Sequence, residues 1–218
     1  MNKLISTLIF LAVASVNSFA QTNDGIKRYE AFIGYSFSKS DTSYHPLPNY
    51  YDDRSINHHG FNVSAVYNVS RYFGVKADVS GVYNGYTPTF LMPTDTIERP
   101  DSQGSSITFG TFNSLYNFLG GVQVKDNVSN GRIKPFIHAL IGAANKKNTT
   151  HEYDGFVGLY TTFPVSTNDG GFAGAFGGGL DIQVGGNIAI RAFQVDYNPA
   201  WFKSGVNHNM RLSMGIVF

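Results

Sequence analysis

Apolar and small or polar residues alternate over the last ten positions of the chain, 209–218. Read back from the end, the apolar set is Phe218, Ile216, Met214, Leu212 and Met210. Apart from Val217, the residues between them are small or polar. A period of two places the two sets on opposite faces of a β-strand. This segment therefore predicts a strand with one apolar face.

Seven more segments of roughly ten residues show the same alternation, which is the length that crosses a bilayer as a tilted strand. They are 29–38, 60–69, 72–83, 113–124, 133–143, 172–184 and 188–197. The connections are alternately long and short, and the long ones are 39–58, 84–111, 145–169 and 198–208. Together these features predict an all-β fold: an eight-stranded antiparallel up-and-down transmembrane β-barrel, with short periplasmic turns and four long extracellular loops.

Composition decides which face meets lipid. The face opposite the apolar one is rich in Gly, Ala, Ser and Asn, which suits the narrow interior of an eight-stranded barrel. A face in water would carry far more Lys and Glu than this chain contains. The apolar face also has aromatic residues near the strand ends, which are candidates for interfacial girdles. They are Tyr29, Phe37, Phe61, Tyr67, Phe73, Tyr83, Tyr116, Phe172, Tyr197 and Phe218.

The first 20 residues resemble a secretory signal peptide. Lys3 is followed by an apolar stretch over 4–16, and Ser18-Phe19-Ala20 is a small-x-small cleavage site. The apolar stretch is shorter than the roughly 20 residues of a membrane-spanning helix. We therefore expect residues 1–20 to direct export and residues 21–218 to form one barrel domain in the bacterial outer membrane.

Several charged residues belong to the inward set of the predicted strands. They are Glu30, Lys76, Asp78, Asp181, Asp196 and Arg211. Phe32, Phe136 and Leu140 also belong to this set, so the interior is predicted to be filled rather than open. Asp196 and Arg211 are expected at similar height on neighbouring strands, where their side chains would form an ion pair. Strict alternation turns Arg191 toward lipid, unless a β-bulge returns it inward or its side chain reaches the membrane rim.

The chain resembles small outer-membrane barrels of the OmpA/OmpX type. The resemblance rests on Arg191-Ala-Phe-Gln-Val-Asp-Tyr197, on Asn209-Met-Arg-Leu-Ser-Met-Gly215 and on the terminal Phe218. It implies a C-terminal insertion signal read by the barrel-assembly machinery, formed by Phe218, Ile216, Met214 and Leu212. It also implies outer-membrane lipid as the surroundings of the barrel.

The sequence predicts no catalytic, cofactor-binding or metal-binding residues. His58 and His59 follow Asp52 and Asp53, but adjacent histidines in an extended segment point in opposite directions and do not readily share one ion. His208 and Ser213 lack the spacing that a catalytic pair needs. Without Lys3 the basic and acidic residues are equal, 15 of each, so nucleic-acid binding has no electrostatic support.

The long loops carry many aromatic residues, which could bind an extracellular ligand or pack the loops together. They are Tyr44, Tyr50, Tyr51, Tyr86, Phe90, Tyr153, Phe156, Tyr160, Phe163, Trp201 and Phe202. We therefore expect a structural or surface-interaction role without catalysis. The alternatives are a narrow pore and a lipid-modifying barrel enzyme.

Overall fold

The computed structural model describes residues 26–47, 50–86, 89–91, 106–129, 131–154, 165–203 and 205–218. Side chains are described for most of these residues, but not for 41–56, 86–91, 106–111, 150–154 and 165. The expected signal peptide, 1–20, lies outside the described residues. The described part of the chain contains no helix long and apolar enough to cross a membrane.

Eight long strands form a closed ring. They are β1 (Tyr29–Leu47), β2 (Tyr50–Asn68), β3 (Phe73–Tyr86), β5 (Ser106–Lys125), β6 (Ile133–Asp154), β7 (Val165–Gly185), β8 (Ile188–Tyr197) and β11 (Asn209–Val217). Three short strands lie outside the ring: β4 (Thr89–Leu91), β9 (Ala200–Phe202) and β10 (Gly205–Asn207). Each long strand pairs antiparallel with its neighbours in the chain, ignoring the short strands, and β11 pairs with β1. The predicted all-β, eight-stranded antiparallel barrel is confirmed.

The pairing of β11 with β1 closes the barrel. Its register places Ser36 opposite Ser213 and Phe32 opposite Val217. Phe218 extends the pairing, because its amide donates to the Ala31 carbonyl at 2.8 Å and its carbonyl accepts from the Ala31 amide at 3.2 Å. Closure leaves no free sheet edge at the level of the lipid, as a membrane-spanning sheet requires.

The two faces of the ring differ as the alternation predicts. Outward positions hold exposed apolar side chains, such as Val75, Phe118 and Ile141, whose exposed fractions are 55%, 55% and 58%. Lys76 and Asp78 alternate with Val75 on β3 and are 1% and 0% exposed. A face of this kind is stable in hydrocarbon and not in water, and the buried polar set is the lumen of the barrel.

A β-bulge in β8 turns Arg191 into the lumen. Gln194 lies opposite Ser213, but the next inward pair is Arg191 with Gly215, so β8 has one residue more than β11 between these pairs. Ala192 and Phe193 consequently both face outward, whereas Arg191 is 1% exposed. Of the orientations that strict alternation left open, the bulge is the one that occurs.

The strands are longer than the alternation predicts. β1, β2, β5, β6 and β7 have 19, 19, 20, 22 and 21 residues. Much of the predicted loops 39–58 and 145–169 is therefore paired strand, and so is the end of 84–111; 198–208 contains the β9–β10 hairpin. The loop bounds were wrong because strand pairing needs only the backbone, whereas apolar alternation is needed only where a strand crosses lipid.

The long strands project beyond the apolar band. At about 3.3 Å per residue and a tilt near 40°, a strand of 20 residues spans roughly 50 Å along the barrel axis. The lipid-facing band of such barrels is only about 25 Å tall. The extra length lies at the end with the long connections, which we call the outer end. The opposite end, with the short turns, is the turn end.

Candidate functional site

The lumen holds a balanced set of buried charges. Among the described residues it contains the carboxylates of Glu30, Asp78, Asp181 and Asp196 and the cations of Lys76, Lys125, Arg191 and Arg211. All eight residues are at most 6% exposed. Buried charges are stable only when they are paired and hydrogen-bonded. The contacts of these eight residues therefore decide whether the lumen is open.

A first ion-pair bridge crosses the lumen near the turn end. Lys125 Nζ on β5 lies 2.7 Å from Glu30 Oε2 on β1 and 2.8 Å from Asp181 Oδ2 on β7. Asn68 donates to the other Glu30 oxygen at 2.9 Å. The sequence interpretation missed Lys125 because it was assigned to a turn. The signal was available, since Gln123 precedes it by two residues in the inward set and is also buried.

Arg191 extends this bridge along β8. Its Nε and Nη2 atoms donate to Asp181 Oδ1 and Oδ2 at 2.8 and 3.1 Å, which is a two-oxygen fork. Its Nη1 atom donates to Gln194 Oε1 at 2.7 Å. The guanidinium carbon also lies 4.4 Å from the ring centre of Phe32 and 4.2 Å from that of Phe136. The charge is thus held by hydrogen bonds at its edge and by aromatic rings at its faces.

A second bridge crosses the lumen closer to the outer end. Arg211 lies directly opposite Asp196, and its Nε and Nη2 atoms donate to Asp196 Oδ2 at 2.9 and 2.6 Å. Its Nη1 atom reaches across to β3, where Asp78 Oδ1 accepts at 2.9 Å and Ser80 Oγ at 2.8 Å. The pair foreseen from the sequence is thus in contact through one Asp196 oxygen, and Arg211 holds two carboxylates rather than one.

His138 connects the second bridge with Lys76. Its Nε2 atom lies 2.9 Å from Asp196 Oδ1, and its Nδ1 atom lies 3.3 Å from Lys76 Nζ. An ammonium group can only donate, so Nδ1 is the acceptor and the ring proton belongs on Nε2, facing the carboxylate. Lys76 Nζ also lies 3.9 Å from Asp78 Oδ2. Both nitrogens of His138 thus lie within 3.3 Å of a charged group of the lumen.

The comparisons with known proteins agree with this architecture. No family model and no curated protein matches the sequence. The solved structure of Ail, the attachment invasion locus protein of Yersinia pestis, matches with a TM-score of 0.52 and 17% identity, over 88% of this chain and 98% of that chain. This chain has the fold of the small outer-membrane β-barrels. The resemblance predicted from the closing hairpin is confirmed for the fold.

Two other small outer-membrane barrels match less closely. OprG from Pseudomonas aeruginosa has a TM-score of 0.43 and 10% identity, over 88% of this chain and 96% of that chain. Neisserial surface protein A has a TM-score of 0.41 and 12% identity, over 87% of this chain and 95% of that chain.

The barrel wall separates the residues of the metal and catalytic sites that were considered in the sequence. His58 is buried and His59 exposed, so the two imidazoles lie on opposite faces of β2; the side chains of Asp52 and Asp53 lie outside the described set. Ser213 is inside, where its Oγ donates to Ser36 Oγ at 3.2 Å, and His208 is outside, paired with Tyr197. The described residues contain no group of His, Cys, Asp and Glu that could hold a metal ion.

Two connections at the turn end are joined by an exposed ion pair. Arg71 Nε and Nη2 donate to Asp126 Oδ1 and Oδ2 at 3.3 and 3.1 Å. The hydrogen bond from Arg71 lowers the pKa of the Asp126 carboxyl to about 2. The pair lies in solvent, so it is a natural comparison for the buried pairs of the lumen.

We expect no general-diffusion conductance, because the two bridges and the aromatic rings between them fill the lumen. Water-filled porins have 16 to 18 strands, whereas eight leave room only for side chains. The measurement is single-channel recording of the purified barrel in planar bilayers, with a porin as the positive control. Steady openings of nanosiemens size would contradict the closed lumen.

Proposed function

We propose that the protein is a closed, non-catalytic outer-membrane barrel that binds partners at the cell surface through its extended outer strands. Residues 1–20 serve as its export signal, and the segment ending at Phe218 as the signal read by the barrel-assembly machinery. The observation that carries the proposal is the projection of paired strands well beyond the apolar band. Strands that only anchor a protein in the membrane need to be no longer than the apolar band.

The projecting strands leave backbone groups available for pairing. Within the described part of the chain, residues 165–170 of β7 pair only with β6. Residues 41–47 of β1 and 50–55 of β2 pair only with each other. An unpaired strand edge presents a row of N–H and C=O groups that an extended segment of a partner can join. Main-chain pairing of this kind suits protein partners.

The charge of the outer segments favours some partners over others. The segments 39–58, 84–111, 145–169 and 198–208 together contain six basic and nine acidic residues, a net charge of −3. Like charges across an interface cost affinity, so a polyanion is a poor partner and a basic protein surface a better one. Ail has also been solved in complex with the heparin analogue sucrose octasulfate. For this chain we propose the opposite preference.

Absence of catalysis is part of the proposal. A lipid-modifying barrel needs an acid–base group and a nucleophile within hydrogen-bond reach. His208 and Ser213 lie on opposite sides of the barrel wall, and His138 is enclosed in the ion-pair network. The filled lumen likewise supports a surface role over a narrow pore.

The test shortens two hairpins and leaves the barrel intact. Residues 42–54 are replaced by Asn-Gly, which joins the register pair Asp41 and Ser55, and residues 149–166 are replaced likewise between Asn148 and Thr167. Cells displaying the intact protein should adhere to polylysine-coated surfaces more than to heparin-coated ones, and the doubly shortened variant should lose this preference. Heat-modifiable gel mobility checks that the variant is folded. Equal adhesion by intact and folded shortened proteins would contradict the proposed role.

A further inference from the structure

Three nitrogen-bearing side chains form a row on the outside of the barrel near its outer end. They are His59 on β2, Lys39 on β1 and His208 just before β11, and all three are exposed. We propose that this row binds the phosphate of an outer-leaflet lipid headgroup. The site lies on the lipid-facing wall rather than on the projecting hairpins, so it goes beyond the proposed surface role.

The strand register places the three residues on neighbouring strands. Phe37 lies opposite His59, and Lys39 lies opposite Met210. His59 and His208 are thus diagonal neighbours of Lys39 on either side, and diagonal neighbours are about 7–8 Å apart. Because barrel strands are tilted by about 40°, a diagonal in this direction runs nearly parallel to the membrane plane. The three residues of the row therefore lie at a similar depth in the same leaflet.

That level is the outer aromatic girdle. Tyr83 and Tyr116 form an edge-to-face pair on β3 and β5, with ring centres 5.6 Å apart. Phe172 on β7 and Trp201 on β9 form another pair, with ring centres 5.6 Å apart. Such aromatic belts mark the boundary between acyl chains and headgroups. A cationic side chain at this boundary therefore lies at the depth of the headgroup phosphates.

Each histidine of the row is held by a tyrosine. The Tyr35 hydroxyl is hydrogen-bonded to His59 Nδ1, and the Tyr197 hydroxyl lies 2.6 Å from His208 Nδ1. The Tyr197 and His208 rings are also stacked, with centres 6.0 Å apart. When the hydroxyl donates to Nδ1, the ring proton is on Nε2, which can donate to a phosphate oxygen. The same diagonal Tyr–His arrangement thus occurs on both sides of Lys39.

The surrounding charges favour an anion that carries acyl chains. Among the side chains that the structure describes on β1, β2, β8 and β11, the carboxylates of Glu30 and Asp196 point into the lumen and none points outward. Immediately toward the turn end lie the outward apolar residues Leu212 and Met214. A free phosphate ion would gain nothing from this apolar wall, whereas the chains of a lipid would cover it. A lysine near a membrane surface contributes measurably to binding of an anionic headgroup.

The test compares lipids that differ only in phosphate. The barrel is placed in phosphatidylcholine nanodiscs with bis-phosphorylated lipid A or with dephosphorylated lipid A, and retained lipid A is counted by native mass spectrometry. We expect retention of the phosphorylated form alone. The substitution Lys39→Gln should weaken retention about five-fold, and adding His59→Gln and His208→Gln should weaken it further. Lys147→Gln is the matched control, because it removes an exposed cation of the outer end that is not in the row.

Three outcomes would overturn the proposal. Equal retention of phosphorylated and dephosphorylated lipid A would remove phosphate recognition. An effect of Lys147→Gln as large as that of Lys39→Gln would show general electrostatic attraction instead of a site. Displacement of the lipid by inorganic phosphate at equal concentration would show that the site takes free phosphate. Unchanged heat-modifiable mobility confirms folding of each variant.

Discussion

Replacing Arg211 with methionine is expected to lower the free energy of unfolding by about 3–5 kcal/mol, as for a buried ion pair that loses one partner. Arg211 is 2% exposed and donates to Asp196 on one side of the lumen and Asp78 on the other. Its loss leaves two carboxylates near each other with less compensating charge. Urea unfolding of the barrel in lipid bilayers measures the change.

A control variant and a double variant test whether the loss of stability comes from the buried ion pair. Arg71→Met removes the exposed turn pair with Asp126 and should change stability little, because solvent already screens that pair. The double variant Asp196→Asn, Arg211→Met should cost less than the sum of the single variants, because the two side chains are in contact. Strictly additive losses would show that the two side chains contribute independently.

The Asp196–Arg211 contact could be foreseen because it depends only on local rules. Period-two alternation put both side chains inside, and the single connection 198–208 between the two strands put them at similar height on adjacent strands. The contact of Arg211 with Asp78 could not be foreseen. Residues 78 and 211 lie on strands that are not neighbours, so their meeting depends on how the closed ring staggers its strands, which no short pattern encodes.

Arg191 shows where alternation fails. A bulge adds one residue without any apolar signal, and every inward position before it in the strand is shifted by one. The sequence does contain the cue that Ala192 and Phe193 are two successive apolar residues before Gln194. This pattern alone does not establish a bulge. The structure does, because it places Asp181 directly opposite Arg191.

The strand ends were missed for a different reason. Apolar alternation reports contact with lipid, so it stops where the membrane stops, although residues 145–154 continue as β6 with polar side chains such as Asn148 and Thr149. The row of Lys39, His59 and His208 was missed likewise. Its members belong to three separate segments of the sequence, and only the register brings them together.

A cysteine pair at positions 36 and 213 is expected to form a disulfide that joins β1 to β11 covalently. Ser36 lies opposite Ser213, their hydroxyl oxygens are 3.2 Å apart, and both side chains are fully buried in the lumen. Directly opposed inward positions bring the Cβ atoms within the range that a disulfide spans. The chain has no cysteine of its own, so Ser36→Cys with Ser213→Cys can form only one intramolecular bond.

The bond should raise stability by up to about 5 kcal/mol, because it closes almost the whole chain into one loop in the unfolded state. On gels, the heated oxidised protein should migrate differently from the heated reduced protein, and reductant should abolish the difference. The control, Ser38→Cys with Ser213→Cys, shares one position, but Ser38 lies opposite Arg211, so its sulfur is a diagonal neighbour and should stay reduced. Oxidation of the control pair in preference to positions 36 and 213 would mean that β1 and β11 close the barrel in a different register.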